Sequence, residues 1–169
     1  MAIAIAASVA PLPAVAQQDP FAGLRAFAAG EPNRGLKVVP LAIETRDGRT
    51  HRYRIEVAET PAQQEKGMMF RTEMAADSGM LFPMRPARPA AFWMRNTFVS
   101  LDIIFIGADG RVRNIAERAV PLSEAMIPSE GPVAAVLELK AGEAARIGLR
   151  PGDRVRWGDA ALGAGGRRR

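Results

Sequence analysis

The residues best suited to chemistry lie in the segment 91–113, where polar and aromatic side chains precede an apolar run. Trp93 offers a flat apolar face with one hydrogen-bond donor, Asn96 offers a donor and an acceptor, and Thr97 adds a hydroxyl. Asp102 follows inside the apolar run, where a carboxylate is costly to bury unless a partner stabilises it. Asp102 is therefore either a structural residue or part of a functional site.

Together with a second charged residue, Arg71, these side chains have the composition of a pocket for a polar small molecule. Such pockets combine an apolar or aromatic wall with a few polar groups that fix the ligand. We predict binding of a sugar, a peptide end or an organic acid by Arg71, Trp93, Asn96, Thr97 and Asp102. The alternative is structural: Asp102 accepts backbone N–H bonds or pairs with a nearby arginine, and the other side chains close a turn or fill the core.

Glu138 is a weaker candidate, for catalysis together with Asp102. In the segment 133–140 its side chain shares a strand face with Val136 and Lys140. If that face points inward, Glu138 and Asp102 could form a carboxylate pair for acid–base chemistry or hydrolysis, with the two groups about 5–10 Å apart. The alternative is an outward Glu138 on a solvated strand face.

Several site classes are excluded or disfavoured by composition. The chain has no cysteine, which excludes disulfides, thiolate nucleophiles and cysteine-based zinc sites. A single histidine, His51, argues against a histidine metal cluster or a Ser-His-Asp triad. The eight methionines could bind Cu(I) in an exported protein, but filling of the core explains them better. We therefore predict no cofactor and no metal.

The positive net charge does not indicate a nucleic-acid partner. Of the formal charge of +5, three charges belong to the C-terminal Arg167, Arg168 and Arg169, which leaves +2 for the rest of the chain. A concentrated basic face is the usual mark of nucleic-acid binding, and none can be located in the sequence. We predict no nucleic-acid partner, and the oligomeric state stays open.

The elements that must position these residues are short. Thirteen prolines and sixteen glycines break the chain into pieces that favour strands over long helices. Asp-Gly pairs at 47–48 and 109–110 predict hairpin turns, and the Thr60-Pro61-Ala62-Gln63 sequence predicts a capped helix start. Strands are predicted over 36–45, 50–58, 79–84, 90–95, 101–106, 111–116, 133–140 and 154–157, and short helices over 61–66 and 142–147. The predicted fold is mainly β: a small antiparallel β-sandwich or barrel-like domain with two short helices.

The N-terminal residues are typical of an export signal. Residues 1–16 are small and apolar, and the sequence Ala14-Val15-Ala16 fits a signal-peptidase cleavage site after Ala16. The stretch is too short for a transmembrane span and contains two prolines. A disordered alanine-rich leader is the alternative. We predict a periplasmic or secreted protein with this organisation: signal peptide 1–16, linker 17–35, single domain 36–158 and disordered tail 159–169.

The body of the chain resembles the DUF192 family, a group of small, often exported bacterial and archaeal proteins. The resemblance runs from about Lys37 to Trp157 and depends on several blocks in the same order. The most specific blocks are EKGMMFR at 65–71, GMLF at 79–82, FWMRNT at 92–97 and LDIIFI at 101–106. Family members more often carry lysine where Arg95 stands here, which keeps the charge. The resemblance implies a compact, mostly β, sandwich-like fold and no established activity, since the family's function is unknown.

Three functions follow from these residues. The first is an exported module that binds a polar small molecule through Trp93, Asn96, Asp102 and Arg71. The second is a carboxylate-dependent hydrolase that uses Asp102, with or without Glu138. The third is a structural or interaction protein in which every polar residue named above is satisfied internally.

Overall fold

The structure is a computed structural model that describes residues 30–162. The predicted signal peptide at 1–16, most of the predicted linker and the last residues of the predicted tail lie outside this range. No helix within 30–162 is long and apolar enough to span a lipid bilayer.

Nine strands and three short helices make up the described part of the chain, which confirms the prediction of a mainly β domain. The helices are α1 (Pro61–Lys66), α2 (Glu143–Ile147) and α3 (Asp159–Leu162). The strands are β1 (Lys37–Glu44), β2 (Thr50–Val57), β3 (Ser78–Arg88), β4 (Ala91–Phe92), β5 (Leu101–Ile106), β6 (Val112–Ala119), β7 (Ile127–Pro128), β8 (Val133–Lys140) and β9 (Arg154–Trp157).

Helix α3 corrects the predicted start of the tail at residue 159. Gly158 has φ 62° and its N–H donates to the carbonyl oxygen of Pro40, so the chain turns back onto β1. Ala161 is only 1% exposed as a result. The packed domain therefore continues past the predicted boundary because a glycine in the left-handed region redirects the chain.

Seven strands form one sheet in the order β6-β5-β8-β3-β2-β1-β9, and β4 pairs with β7 in a separate small sheet. All described strand pairs are antiparallel except β2 and β3, which are parallel. The sheet curls so that its two edges touch near one end, where Val112 N–H donates to the Asp153 carbonyl at 2.9 Å. Arg111 and Arg154 form a single bridge there. The fold is thus an open, barrel-like sheet that does not close fully.

The sheet has two buried faces, each with its own apolar core. One core contains Ile104, Leu137 and Leu139, with residues of α2 packed against them. The other contains Met80, Phe82 and Ile103, and it also includes residues from the segment that joins β2 to β3. Because successive side chains of a strand alternate between faces, the wholly buried β5 contributes to both cores.

The connection from β2 to β3 is the part of the fold that builds the site. Parallel strands need a crossover, and here the crossover 58–77 carries α1. The predicted capping box is present: Thr60 Oγ1 accepts from Gln63 N–H at 3.2 Å, and Gln63 Oε1 accepts from Thr60 N–H at 3.0 Å. Gly67 ends the helix with φ 48°. These capping interactions define where α1 begins and ends, and the helix lies over the second core.

Candidate functional site

Asp102 is a structural residue and does not face a pocket, which corrects the prediction that it binds ligand. It is 0% exposed in β5. Its carboxylate accepts N–H bonds from Arg118 at 2.8 Å, Gly142 at 3.1 Å and Ala144 at 2.8 Å. Three backbone donors are enough to stabilise a buried carboxylate, which also ties β5 to β6 and to the start of α2.

The sheet register separates Asp102 from Glu138 and so corrects the predicted carboxylate pair. In the pairing of β5 with β8, Asp102 lies opposite Leu139, and Ile103 lies opposite Glu138. Paired residues share a face, whereas consecutive residues point to opposite faces. The two carboxylates therefore lie on opposite sides of the same sheet, and a hydrolase mechanism that needs them together has no geometric basis.

Glu138 points inward, contrary to the predicted alternative of a solvated position. It is 4% exposed, and its Oε2 has no hydrogen-bond partner among residues 30–162. Burial raises the pKa of Glu138 to about 8, while the positive charge of Arg71 opposes the rise. The carboxyl group is thus largely protonated at neutral pH and has one oxygen free to receive a hydrogen bond.

A cavity of about 320 Å³ lies above Glu138, between α1 and the second core face. Its walls include Met68, Phe82, Met84 and Phe92. Phe82 and Met84 reach it from alternate positions of β3, and Met68 follows the glycine that ends α1. Phe92 packs edge-on against Phe82 with ring centroids 5.0 Å apart, which holds the aromatic wall in place. The result is an apolar cavity with one buried carboxyl group.

The mouth of the cavity contains two exposed apolar side chains. Trp93 is 40% exposed and Met126 is 58% exposed, and both line the cavity. The guanidinium carbon of Arg95 lies 5.5 Å from the centroid of the Trp93 ring, a cation–π contact at the surface. The mouth of the cavity is thus open to solvent, and Glu138 lies at its buried end.

Trp93 and Thr97 both line the cavity, and Asn96 lies beside it. Thr97 is buried against the cavity, and its hydroxyl donates to the Arg95 carbonyl at 3.2 Å. Asn96 has φ 54°, a conformation that asparagine tolerates, and it lines an adjoining depression that shares Trp93 with the cavity. The loop is fixed because the N–H of Phe70 donates to the Asn96 carbonyl at 2.8 Å.

Arg71 lies outside the cavity wall, so the structure does not bring it together with Trp93 and Asp102. Its guanidinium pairs with Glu56 at 2.6 Å and donates to the Asn33 carbonyl at 3.2 Å. Its Nε is buried with no hydrogen-bond partner in the described part of the chain. Arg71 therefore acts on the cavity only through its charge, which favours ionisation of Glu138.

Some of the methionines line the cavity, which the sequence prediction did not indicate. Met80 and Met94 are fully buried core residues, as predicted. Met68, Met84 and Met126 line the cavity. The alternation of GMLFPM at 79–84 was the signal available in the sequence, since it puts residues 80, 82 and 84 on one strand face. It could not show that this face meets Glu138.

Within residues 30–162, no group of three or more histidine, aspartate or glutamate side chains could hold a metal ion.

Comparisons with known proteins support the resemblance. A sequence model of the DUF192 family, described as "Uncharacterized ACR", matches residues 42–157. A crystal structure from Sinorhizobium meliloti 1021, described as a "putative transcription regulator", is 47% identical, with a TM-score of 0.72 over 76% of this chain and 98% of that chain. A protein of unknown function from Novosphingobium aromaticivorans DSM 12444 is 48% identical, with a TM-score of 0.71 over 78% of this chain and 96% of that chain. No curated protein matches the chain.

Proposed function

The chain belongs to the DUF192 family, and from that premise we propose that it is an exported binding module whose small-molecule ligand enters the cavity above Glu138. The observation that carries this proposal is that the buried Glu138 lines an apolar cavity while its Oε2 has no hydrogen-bond partner within residues 30–162. Buried polar atoms are normally hydrogen-bonded, and an exception in a cavity is a typical mark of a ligand site.

The shape and chemistry of the cavity indicate a ligand with an apolar body and one polar end. Its volume of about 320 Å³ is at the lower end of the range of roughly 300–1,000 Å³ for ligand pockets. Thioether and aromatic walls suit an apolar group, since methionine side chains adapt to the shape they contact. A sugar, with polar groups all round, fits these walls less well than a peptide end or another small amphipathic molecule.

The export of the protein is part of the proposal and depends on the signal-like residues 1–16. The transcription-regulator description belongs to the Sinorhizobium meliloti protein, whereas the sequence here predicts no nucleic-acid partner. The structural or interaction protein is the alternative, and it predicts that no small molecule enters the cavity.

A cavity-blocking variant tests the proposal. Ala91 is exposed at the cavity wall, so Ala91→Trp fills the mouth without disturbing the core. Ala76→Trp, at an exposed alanine of the turn before β3, is the matched control. Small amphipathic molecules are screened for a rise in melting temperature of the wild-type protein, followed by calorimetric titration of each one that raises it.

We expect at least one molecule that stabilises the wild-type protein and the Ala76→Trp variant but not the Ala91→Trp variant. Stabilisation that persists in Ala91→Trp would place binding elsewhere and contradict the proposed site. A screen in which no molecule stabilises the wild-type protein would favour the structural or interaction protein instead.

A further inference from the structure

The donors of the cavity wall are already in use, which restricts the ligand further. Gln64 Nε2 donates both of its hydrogens, to the carbonyl oxygens of Ala58 at 3.1 Å and Pro83 at 2.9 Å. The hydroxyl of Thr97 donates to the Arg95 carbonyl. Gln64 and Thr97 thus have no unused side-chain donor for a ligand. Glu138, in contrast, has an oxygen that accepts no hydrogen bond in the described range. Glu138 offers only acceptors once it is ionised, so a ligand that pairs with the ionised carboxylate must bring the donor.

The walls also favour positive charge over negative charge. Aromatic faces and thioether sulfurs are electron-rich, and a cation held near an aromatic face gains about 0.5–2 kcal/mol. Phe82, Phe92 and Trp93 line the cavity together with the methionines. On α1, Glu65 and Lys66 also line the cavity and carry opposite charges, so they largely offset each other.

We propose that the cavity binds a small primary amine with an apolar body, and that the Glu138 carboxylate holds its ammonium group. This inference rests on the proposed function and names its ligand class. The ammonium donates to the Glu138 carboxylate, and the apolar body lies against Met68, Met84 and Phe82. An ammonium–carboxylate bond in a nearly dry cavity is stronger than a neutral hydrogen bond, which gives the amine its advantage.

Binding of the amine is coupled to the release of a proton. Burial raises the pKa of Glu138 to about 8, so at neutral pH the carboxyl group must ionise before it can pair with an ammonium. Of the charged groups near Glu138, Arg71 favours ionisation, while Glu65 and Lys66 on α1 offset each other. The small sheet contributes only apolar side chains to the wall. Below pH 8, the affinity for the amine should therefore increase by up to about tenfold for each unit by which the pH is raised.

Calorimetric titration with three probes of similar shape tests this assignment: phenethylamine, 2-phenylethanol and phenylacetate. At pH 8 we expect the full-length protein to bind the amine at least about tenfold more tightly than the alcohol. Glu138→Gln should abolish that preference. Glu117→Gln, at an exposed position of β6, is the matched control and should behave as wild type.

The outcomes separate this inference from the proposed function. Equal binding of amine and alcohol, or an amine preference that survives Glu138→Gln, overturns the amine assignment while the binding module stands. Tighter binding of phenylacetate also overturns it. If none of the three probes binds at any pH from 6 to 9, the amine assignment fails, and the wider ligand screen then decides whether the binding module fails with it.

Discussion

At the scale of single residues, two acidic side chains in neighbouring strands have opposite roles. Asp102 is saturated by three backbone N–H groups, and Glu138 has an oxygen without a partner in the described range. Both are buried, so exposure alone does not distinguish them. What distinguishes them is the supply of donors: backbone N–H groups satisfy Asp102, whereas one oxygen of Glu138 has no donor in the described range.

The raised pKa of Glu138 predicts a pH dependence of stability. Its folded-state pKa of about 8 lies above the ordinary value of 4.5, so the folded protein binds the proton more tightly than the unfolded chain. The proton on Glu138 stabilises the folded protein fully below pH 4.5, and this stabilisation is lost as the pH rises through 8. We expect a loss of up to roughly 5 kcal/mol in the free energy of unfolding across this window. Urea denaturation at a series of pH values measures it.

Glu138→Gln should remove most of that pH dependence, because glutamine does not titrate. The variant should then be more stable than the wild type at pH 9. Glu117→Gln should keep the wild-type slope, since Glu117 is exposed. Parallel curves for wild type and Glu138→Gln would show that Glu138 does not carry the buried proton.

At the scale of elements, Asp102 joins three of them. Its bonds run from β5 to Arg118 in β6 and to Gly142 and Ala144 at the start of α2. Asp102→Asn replaces one carboxylate oxygen by an NH2 group, which cannot accept a hydrogen bond from the backbone N–H groups around it. We therefore expect a loss of about 3 kcal/mol in the free energy of unfolding. Amide hydrogen exchange should show the largest increase in α2. Asp77→Asn, at an exposed turn, is the control; equal losses in the two variants would contradict the role of Asp102.

Local elements were predictable from the sequence because their signals are local. The capping box at Thr60 and Gln63 and the Asp-Gly turn at Gly48 need only neighbouring residues, and the structure contains both. The directions of Asp102 and Glu138 depend on the register between β5 and β8, which are about thirty residues apart in the chain. No spacing within either strand encodes that register, so the predicted carboxylate pair was wrong and the cavity was missed.

At the scale of the whole molecule, the sheet separates the side chains of its two faces. Asp102 belongs to the face covered by α2, and Glu138 belongs to the face covered by the crossover 58–77. The two side chains share no hydrogen-bond partner. Side chains on opposite faces that share no partner can interact only through the backbone between them, which favours nearly independent contributions to stability.

A double-mutant cycle measures this independence. At pH 6, the effects of Asp102→Asn and Glu138→Gln on the free energy of unfolding should add to within about 0.5 kcal/mol in the combined variant. An interaction free energy above about 1 kcal/mol would mean that the two carboxyl groups act together, as the hydrolase hypothesis required.

The one parallel strand pair in the described range, β2 with β3, has a wider consequence. Its crossover runs over a sheet whose remaining described pairs are antiparallel, and it supplies one wall of the cavity. The crossover lines the cavity and also contributes core residues, so changes in its sequence alter the cavity wall directly. Under the proposed function, chains that share this strand order but differ in the crossover would bind different ligands, and grafting a foreign crossover between β2 and β3 would test this.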